Sequence, residues 1–267
     1  MIYFVATPIG NLKDITLRAL ETLKEADVIF CEDTRHTIKL LNAYEIKKPL
    51  FACHKFNEAE AAAKILERAR RGENVAIVSD AGTPVVSDPG NTVCKILREA
   101  GEPYTLIPGA SAFVAALVLS ALPADRFAFI GFLPDKASEK KAVLEKYKEL
   151  DLTLAFHSAP QDVDKDIKAM YEVFGDREAA AVREITKLHE ETKRFTLAQG
   201  LQGEKRGEYV LVVEGAKERQ SPLNALSPKE HIQHYMAAGL EKKEALKKAA
   251  KDRGVSKSEL YPFAIDL

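Results

Sequence analysis

The chain has 267 residues, of which 46% are hydrophobic and 30% charged, and its 39 basic and 40 acidic side chains leave a formal net charge of -1. This composition is typical of a folded globular protein and excludes a disordered or fibrous chain. No apolar run approaches the roughly 18 uninterrupted residues of a membrane-spanning helix. The near-neutral charge argues against a protein that coats nucleic acid regardless of sequence.

The start of the chain and its cysteines indicate a cytoplasmic protein. Residues 1–6 lack a basic flank and run straight into Thr7-Pro8, so they predict a first strand rather than a signal peptide. The three cysteines, Cys31, Cys53 and Cys94, are odd in number and form no CxxC pair. This favours reduced thiols, and we expect no metal site.

The first half of the chain alternates apolar strands with helical patterns, which predicts βαβ units on a mostly parallel sheet. The predicted strands are 2–7, 28–32, 75–80 and 104–107. The predicted helices are 15–26, 58–71 and 92–100. We therefore expect an N-terminal α/β domain over residues 1–110.

The second half predicts more antiparallel pairing. An Ala-rich helix at 111–120 precedes predicted strands at 127–131, 152–157, 178–184 and 209–214, with helices at 138–150 and 162–174. These elements predict a second α/β domain over 111–216 with a mixed sheet. A polar stretch at 216–226 reads as a linker, and Ser227-Pro228 as a helix start, so 225–267 is expected to be a small helical C-terminal module.

Three predicted strands are each followed by a turn-rich segment. These segments are Thr7-Pro8-Ile9-Gly10-Asn11, Ser79-Asp80-Ala81-Gly82-Thr83-Pro84 with its continuation Ser87-Asp88-Pro89-Gly90, and Pro108-Gly109-Ala110-Ser111-Ala112. Loops at the carboxyl ends of parallel strands converge on one crevice, so they predict a ligand site. Ordinary turns are the alternative, because such residues are common in turns. Neither GxxxxGK(S/T) nor GxGxxG occurs, which disfavours kinase and dehydrogenase functions.

Two further segments are dense in charge. Cys31-Glu32-Asp33-Thr34-Arg35-His36-Thr37 follows a strand and could orient a substrate hydroxyl or hold a phosphate. The alternative is a solvated helix N-terminus with Asp33 or Thr34 as its cap. Arg183-Glu184-Ile185-Thr186-Lys187-Leu188-His189-Glu190-Glu191 is, by spacing alone, more typical of a solvated charged face.

Taken together and in order, seven segments closely resemble the ribosomal RNA small subunit methyltransferase I family of the tetrapyrrole methylase superfamily. They are VATPIGNLKDITLRALETLKEAD, CEDTRHT, SDAGTPVVSDPG, IPGASA, DRFAFIGFLP, REITKLHEE and GEYVLVVEG. The resemblance covers residues 1–215 nearly without gaps. The tail, ending in GVSKSELY, is similar to that family's C-terminal helical module.

This resemblance implies a two-domain tetrapyrrole methylase-like fold, with S-adenosyl-L-methionine between the domains and a homodimer. The implied reaction is methyl transfer to the ribose 2′-hydroxyl of a cytidine in the decoding region of 16S ribosomal RNA within the small subunit. Neither a membrane nor DNA is an implied partner. Carried over by position, the cofactor would contact Pro8, Asp80, Ala81, Gly82, Thr83, Pro84, Val85, Ser111, Ala112, Phe156, His157 and Ser158.

One segment departs from the family pattern. The family usually carries Glu-Ser-Pro-His after the strand that ends near Phe156, whereas this chain reads His157-Ser158-Ala159-Pro160-Gln161. A carboxylate and an imidazole are therefore missing. The open alternatives are an altered activity, a shifted target, or a role for His157 in their place.

Methyl transfer from a sulfonium requires alignment of the nucleophile and removal of its proton. A ribose hydroxyl is a weak acid, so a positioned base or a cation that stabilises the alkoxide should help. The candidates are Asp33 or Glu184 as the base and Lys187 or Arg35 as the cation. RNA contacts are expected from Arg35, from the lysines of 136–148 and from the tail helices.

Two other functions compete with this interpretation. A tetrapyrrole C-methyltransferase of the same superfamily would use the same cofactor pocket, but its acceptor site should be a broad cavity for a macrocycle. A non-catalytic ribosome-binding relative would keep the fold and lose the activity. The altered segment at 157–161 is the only feature that favours the second of these.

Overall fold

The computed structural model describes residues 1–217, 222–265 and 267. Contacts between residues group the chain into two units, Met1–Gly215 and Ala216–Leu267. The first unit contains two five-stranded sheets. The second contains short helices alone among its described residues.

The first sheet is entirely parallel and has the strand order β3-β2-β4-β1-β5. Its strands are β1 (Ile2–Val5), β2 (Val28–Cys31), β3 (Leu50–Ala52), β4 (Val75–Val78) and β5 (Tyr104–Ile107). Its helices are α1 (Leu17–Glu25), α2 (Thr34–Ala43), α3 (Glu58–Arg70) and α4 (Asn91–Glu99). Every residue of β2 and β4 is buried, because helices cover both faces of the sheet.

Two hydrophobic clusters lie on the opposite faces of this sheet. Ile65 of α3 and Leu97 of α4 pack into one cluster. Leu23 of α1 and Leu41 of α2 pack into the other. The predicted strands and the three predicted helices of this half are confirmed, whereas α2 and β3 are additions to the prediction.

The second sheet is mixed and has the order β6-β7-β10-β8-β9, in which only the β6 and β7 pair is parallel. Its strands are β6 (Phe127–Phe132), β7 (Thr153–Ser158), β8 (Glu178–Arg183), β9 (Glu191–Thr196) and β10 (Tyr209–Val213). The helices are α5 (Ala112–Ser120), α6 (Ala137–Glu145) and α7 (Val163–Phe174). Residues of α6 and α7 form the core on one face, and residues of α5 form it on the other.

The α/β fold class predicted from the sequence is therefore confirmed, with a parallel first sheet and a mixed second sheet. The strand β9 was not predicted, because its sequence falls in and after the segment interpreted as a charged face. We keep the division of the first unit near residue 110 as a proposal. The first sheet ends at Ile107 and the first strand of the second sheet begins at Phe127.

The C-terminal unit contains a 3-10 turn (Pro222–Ala225), α8 (Pro228–Ala237), α9 (Lys242–Asp252), α10 (Lys257–Leu260) and a final 3-10 turn (Tyr261–Ala264). Pro228 occupies the first turn of α8, and Ser227 forms a capping box with Glu230, as the helix start predicted. Part of the predicted linker, residues 218–221, lies outside the described residues, as does residue 266 of the predicted module. Among the described residues, no helix is long and apolar enough to cross a membrane.

Candidate functional site

A cavity of about 350 Å³ lies in the first unit, at the carboxyl ends of the first sheet's strands. This volume falls within the roughly 300–1,000 Å³ of small-molecule sites. Both sheets contribute to its wall. The lining residues are Ile9, Ala81, Gly82, Thr83, Val86, Ser87, Asp88, Ser111, Ala112, Phe113, Phe132, His157, Ser158, Ala159, Pro160, Ile185, Glu208, Tyr209 and Val210.

Backbone hydrogen bonds fix the loops that follow β1, β4 and β5. Thr7 and Gly82 form an isolated antiparallel bridge, with N···O distances of 2.8 and 3.1 Å. The Thr7 hydroxyl also donates to the carbonyl of Ser79 at 3.3 Å. The amide of Ala6 donates to the carbonyl of Ile107 at 3.0 Å. Three turn-rich segments that are distant in sequence are thus held together, as parallel strands predict.

Seven of the twelve residues predicted to contact a cofactor line this cavity. They are Ala81, Gly82, Thr83, Ser111, Ala112, His157 and Ser158. Pro8, Asp80, Pro84 and Val85 lie in the same loops but outside the lining. Phe156 is fully buried in the core of the second sheet, so the structure gives no support to its predicted contact.

Apart from His157 and Ser158 of β7, the sequence prediction missed the wall residues contributed by the second sheet, and it also missed those at the end of the loop after β4. Asp88 belongs to the turn-rich segment Ser87-Asp88-Pro89-Gly90, but the sequence predicted no role for it. Glu208 immediately precedes β10. The pairing of β10 with β7 brings Glu208 near the cavity, and no local motif marks this pairing.

Lys187 lies at the centre of an ion cluster beside the cavity. Its Nζ donates to Glu184 at 3.0 Å and to Glu208 at 2.8 Å. Burial alone would lower the pKa of Lys187, but the hydrogen bonds and the negative charges of the two glutamates together outweigh it and raise the pKa. The pKa of Glu184 is lowered, first by the hydrogen bond from the backbone amide of Glu208. The charged segment 183–191, which the sequence indicated to be a solvated face, is therefore half-buried at Lys187.

Gly10 allows this cluster to approach the loop after β1. A Cβ atom at Gly10 would lie 2.6 Å from Cγ of Lys187, closer than real Cβ contacts. Only glycine therefore leaves room for the aliphatic stem of Lys187 at this point. The first loop and the charged segment of the second sheet are in direct contact as a result.

A second charged cluster follows β2. Asp33 caps α2 by accepting from the amide of Arg35 at 2.8 Å, and its other oxygen accepts from the Arg35 guanidinium at 2.6 Å. The hydrogen bonds from Arg35 hold the pKa of Asp33 well below its usual range. Asp80 accepts from the amide of Asp33 and pairs with Nδ1 of His36 at 3.0 Å. Asp33 thus caps a helix, as the alternative interpretation proposed, and neither it nor Arg35 lines the cavity.

His157 forms part of the cavity wall between two aromatic rings. Its ring centroid lies 5.0 Å from that of Phe129 and 5.2 Å from that of Phe132. Burial lowers the pKa of His157, although the charge of Glu208 opposes this shift. The net effect of these surroundings is to favour the neutral imidazole.

The segment that departs from the family pattern is supported by a buried charge pair. The Ser158 hydroxyl donates to Asp166 of α7 at 2.6 Å. The other oxygen of Asp166 accepts from Lys140 of α6, and the side chains of Lys140 and Asp166 are only 5% and 4% exposed. A carboxylate thus lies directly behind this segment, although the segment itself has none. Lys140 was among the lysines expected to contact RNA, and burial and pairing exclude it from that role.

Within the described residues, no group of three or more His, Cys, Asp or Glu side chains is arranged to hold a metal ion. Apolar side chains, backbone groups and a few polar side chains form the cavity wall. Such a site suits an organic ligand of moderate size with polar ends.

Comparison with known sequences identifies the family. The profile described as Tetrapyrrole (Corrin/Porphyrin) Methylases matches residues 1–200. Ribosomal RNA small subunit methyltransferase I of Bacillus subtilis (strain 168) is 43% identical, covering 98% of this chain and 92% of its own length. The protein of the same name from Haemophilus influenzae is 40% identical, covering 99% and 96%.

Solved structures agree on the fold. The methyltransferase CobJ superposes with a TM-score of 0.62 at 20% identity, covering 80% of this chain and 94% of its own. Uroporphyrin-III C-methyltransferase from Thermus thermophilus, complexed with S-adenosylhomocysteine, gives a TM-score of 0.57 at 20% identity, covering 80% and 96%. The solved structures show the fold, and the sequence relatives show which family within the superfamily the chain belongs to. The chain belongs to the tetrapyrrole methylase family and, within it, to the ribosomal RNA small subunit methyltransferase I family.

Proposed function

We propose that the protein transfers a methyl group from S-adenosyl-L-methionine to the ribose 2′-hydroxyl of a cytidine in the decoding region of 16S ribosomal RNA, within the small subunit. The names of its relatives support the RNA substrate. The observation that carries the cofactor assignment is the convergence of seven predicted contact residues on one cavity. A cytoplasmic location, where small subunits are available, belongs to the same proposal.

The chemistry of the cavity wall fits this cofactor. The loop with Ala81, Gly82 and Thr83 presents backbone groups that can bind its polar edges, and Ser111 and Ala112 extend this wall. Phe113 and Phe132 offer apolar faces against which a purine can pack. When bound, S-adenosyl-L-methionine supplies an electrophilic methyl group on a sulfonium. The protein's own part is to align the ribose oxygen, exclude water and move one proton.

A cation beside the cavity can stabilise the negative charge that develops on the ribose oxygen. Among the four residues predicted to be catalytic, Lys187 and Glu184 each form a hydrogen bond with Glu208, which lines the cavity. Arg35 is the second predicted cation, and its side chain is 85% exposed. Asp33 and Glu184 hold these two cations, and the lowered pKa of each makes it a weak proton acceptor.

Replacement of Lys187 with alanine should lower the methylation rate by about 100-fold or more, because one positioned electrostatic group commonly contributes that much. Cofactor binding should survive. Lys193→Ala is the matched control, since Lys193 pairs with Glu191 on β9 outside the cavity lining. Single-turnover rates and calorimetric titration with the cofactor check both expectations. A parallel loss of cofactor affinity in Lys187→Ala would instead make Lys187 part of the pocket structure.

RNA recognition is proposed to depend on shape and phosphates more than on linear sequence, because a single unstacked nucleotide must reach the cavity. Arg35 is exposed and available for such a contact. The surface lysines Lys136, Lys141 and Lys148 pair with neighbouring glutamates. Such pairs are weak and can exchange for phosphate contacts. An assembled small subunit should therefore be a better substrate than a free oligonucleotide.

The test of the proposed function is transfer of labelled methyl to purified small subunits that lack the modification, followed by nuclease mapping of the labelled nucleotide. A 2′-O-methylated cytidine in the decoding region is the expected result. Transfer to a tetrapyrrole carbon but not to RNA would favour the C-methyltransferase alternative. Cofactor binding without transfer to either acceptor would favour the non-catalytic ribosome-binding relative.

We also propose a homodimer, formed through an apolar surface on α5 and the edge strand β5. The sequence of α5 is apolar on all sides, yet the second sheet covers only one of its faces. Val118 is therefore 75% exposed and Val114 47% exposed. Tyr104 and Leu106 on β5 are 41% and 45% exposed. An uncovered apolar helix face and an unpaired strand edge with exposed apolar side chains are both typical of a subunit interface.

Val118→Asp should convert the dimer into a monomer, because it places an unpaired charge in the apolar interface. Size-exclusion chromatography with light scattering gives the mass directly. Phe56→Asp is the matched control, since Phe56 is 92% exposed but follows β3, at the opposite edge of the first sheet. A wild-type mass of one chain, or a Val118→Asp mass of two, would contradict this interface.

A further inference from the structure

The loop between β4 and α4 reaches the cavity in a conformation that its residues do not favour. Val85 and Ser87 have φ angles of 77° and 65°, in the left-handed region. This region is disfavoured for residues other than glycine and most strongly for β-branched residues such as valine. Backbone strain of this kind concentrates at functional sites. Asp88 directly follows this strained stretch and lines the cavity.

The second sheet is shaped to accept this loop. The register of β6 against β7 shifts between Phe129 and Gly131, and Gly131 has a φ of 78°. A Cβ atom at Gly131 would lie 3.0 Å from Oγ of Ser87, tighter than most real contacts. The irregularity in β6 thus leaves space for the residue that precedes Asp88. Both sides of the contact are adapted to hold the loop in place.

The surroundings of Asp88 suit a group that accepts a proton. Burial raises the pKa of Asp88 to about 6, and the charges of Glu32 and Asp80 add to this rise, while a hydrogen bond with Ser79 opposes it. His157 and Glu208 also line the cavity. A base with a pKa just below the working pH is mostly ionised and still accepts a proton readily.

The other carboxylates near the cavity are less suited to this role. Hydrogen bonds lower the pKa of Asp33 and of Glu184 and engage their oxygens. Asp80 is occupied by His36 and by the amide of Asp33. Asp166 lies behind the wall, bound to Ser158 and Lys140. Among the described residues that line the cavity, only Asp88 and Glu208 carry carboxylates, and Glu208 is bound to Lys187.

We propose that Asp88 is the general base that accepts the proton of the ribose 2′-hydroxyl during methyl transfer, an inference that rests on the proposed function. The 2′-oxygen forms a bond to the methyl carbon while the bond between that carbon and sulfur breaks. The electron pair of the broken bond stays on sulfur, which becomes neutral. The proton passes from the 2′-oxygen to the carboxylate of Asp88 and from there to water.

Asp88→Asn tests this role, because the amide keeps the shape of the carboxylate but cannot accept the proton. We expect the single-turnover rate on small subunits to fall about 100- to 10,000-fold, the range of general base catalysis. Cofactor affinity should change by less than about threefold. Asp151→Asn is the matched control, since Asp151 is exposed, pairs with Arg126 and lies outside the cavity lining. It should keep the wild-type rate.

The pH profile and a direct titration give independent readouts. In the wild type, kcat/KM should fall below about pH 6, as Asp88 becomes protonated, and this dependence should be absent from Asp88→Asn. Carbon-13 NMR of labelled aspartate carboxyls should show one group titrating near pH 6 that is missing in Asp88→Asn. An ordinary pKa near 4 for this carboxyl would overturn the proposal.

The remaining outcomes separate the rivals. A wild-type rate in Asp88→Asn on active small subunits would overturn the role of Asp88 and leave the proposed function intact. Loss of cofactor binding in Asp88→Asn would assign Asp88 to the cofactor pocket. An acidic limb that persists in Asp88→Asn but disappears in His157→Gln would assign the base to His157. Absence of transfer by the wild type to any small subunit would overturn the proposed function itself, and the role of Asp88 with it.

Discussion

Replacing Asp166 with alanine should lower the free energy of unfolding by about 3–5 kcal/mol, because it leaves the charge of Lys140 buried without its partner. Lys140 and Asp166 are almost fully buried between α6 and α7, and Ser158 completes the network. Urea unfolding followed by circular dichroism measures the change. We expect the midpoint to shift strongly while the slope stays the same.

A second ion pair between the same two helices provides the control. Lys141 of α6 pairs with Glu172 of α7, but their side chains are 51% and 37% exposed. Glu172→Ala should therefore cost only about 0–1 kcal/mol. The double variant Lys140→Met with Asp166→Ala should recover much of the lost stability, since no charge remains buried. Equal effects of Asp166→Ala and Glu172→Ala would contradict the buried network.

Ala81→Trp should weaken cofactor binding by about 100-fold or more, equivalent to about 2.7 kcal/mol. Ala81 is exposed at the cavity wall, so an indole at this position can occupy the cavity without entering the hydrophobic core. The hydrogen bond from the Ser79 hydroxyl goes to the carbonyl of residue 81 and does not depend on its side chain. Calorimetric titration with S-adenosyl-L-methionine gives the affinity.

An alanine-to-tryptophan substitution outside the cavity is the control, because it shows whether Ala81→Trp weakens binding by filling the cavity or by disturbing the fold. Ala198 is also exposed in the first unit but lies outside the cavity lining. Ala198→Trp should bind the cofactor as the wild type does, and both variants should unfold at similar urea concentrations. Unchanged affinity in Ala81→Trp would mean that the cofactor binds outside this cavity.

The sequence predicted the elements whose patterns are strong. Strands such as β2 and β4 are continuous apolar runs because helices bury both faces of the parallel sheet. Glycine and proline after β1, β4 and β5 marked the loops that converge on the cavity. This convergence follows from parallel topology alone.

The strands β3 and β9 were not predicted, because their residues lack the apolar pattern by which strands are recognised in a sequence. The strand β3 has three residues, none of them fully buried, at the edge of the first sheet. The strand β9 contains four charged or hydroxyl residues before Phe195, its one buried residue. Its strand conformation comes from pairing with β8, which is a tertiary contact.

The candidate site could be predicted only as far as its loops. The position of Asp88 depends on left-handed conformations at Val85 and Ser87, which residue type does not predict. The contribution of Glu208 depends on the register of β10 against β7. The role of Ser158 depends on Asp166, a residue of α7 that no motif connects with the cavity. These features arise from packing between elements and are visible only in the folded chain.

A crystal structure of the protein grown with S-adenosylhomocysteine tests the assignment of the cavity most directly. The expected result is the ligand bound in the cavity against Gly82, Ser111 and His157, with the space beside its sulfur open toward Asp88. A ligand bound elsewhere on the first unit, or an empty cavity at millimolar ligand in a crystal whose cavity is open, would contradict the proposed cofactor site.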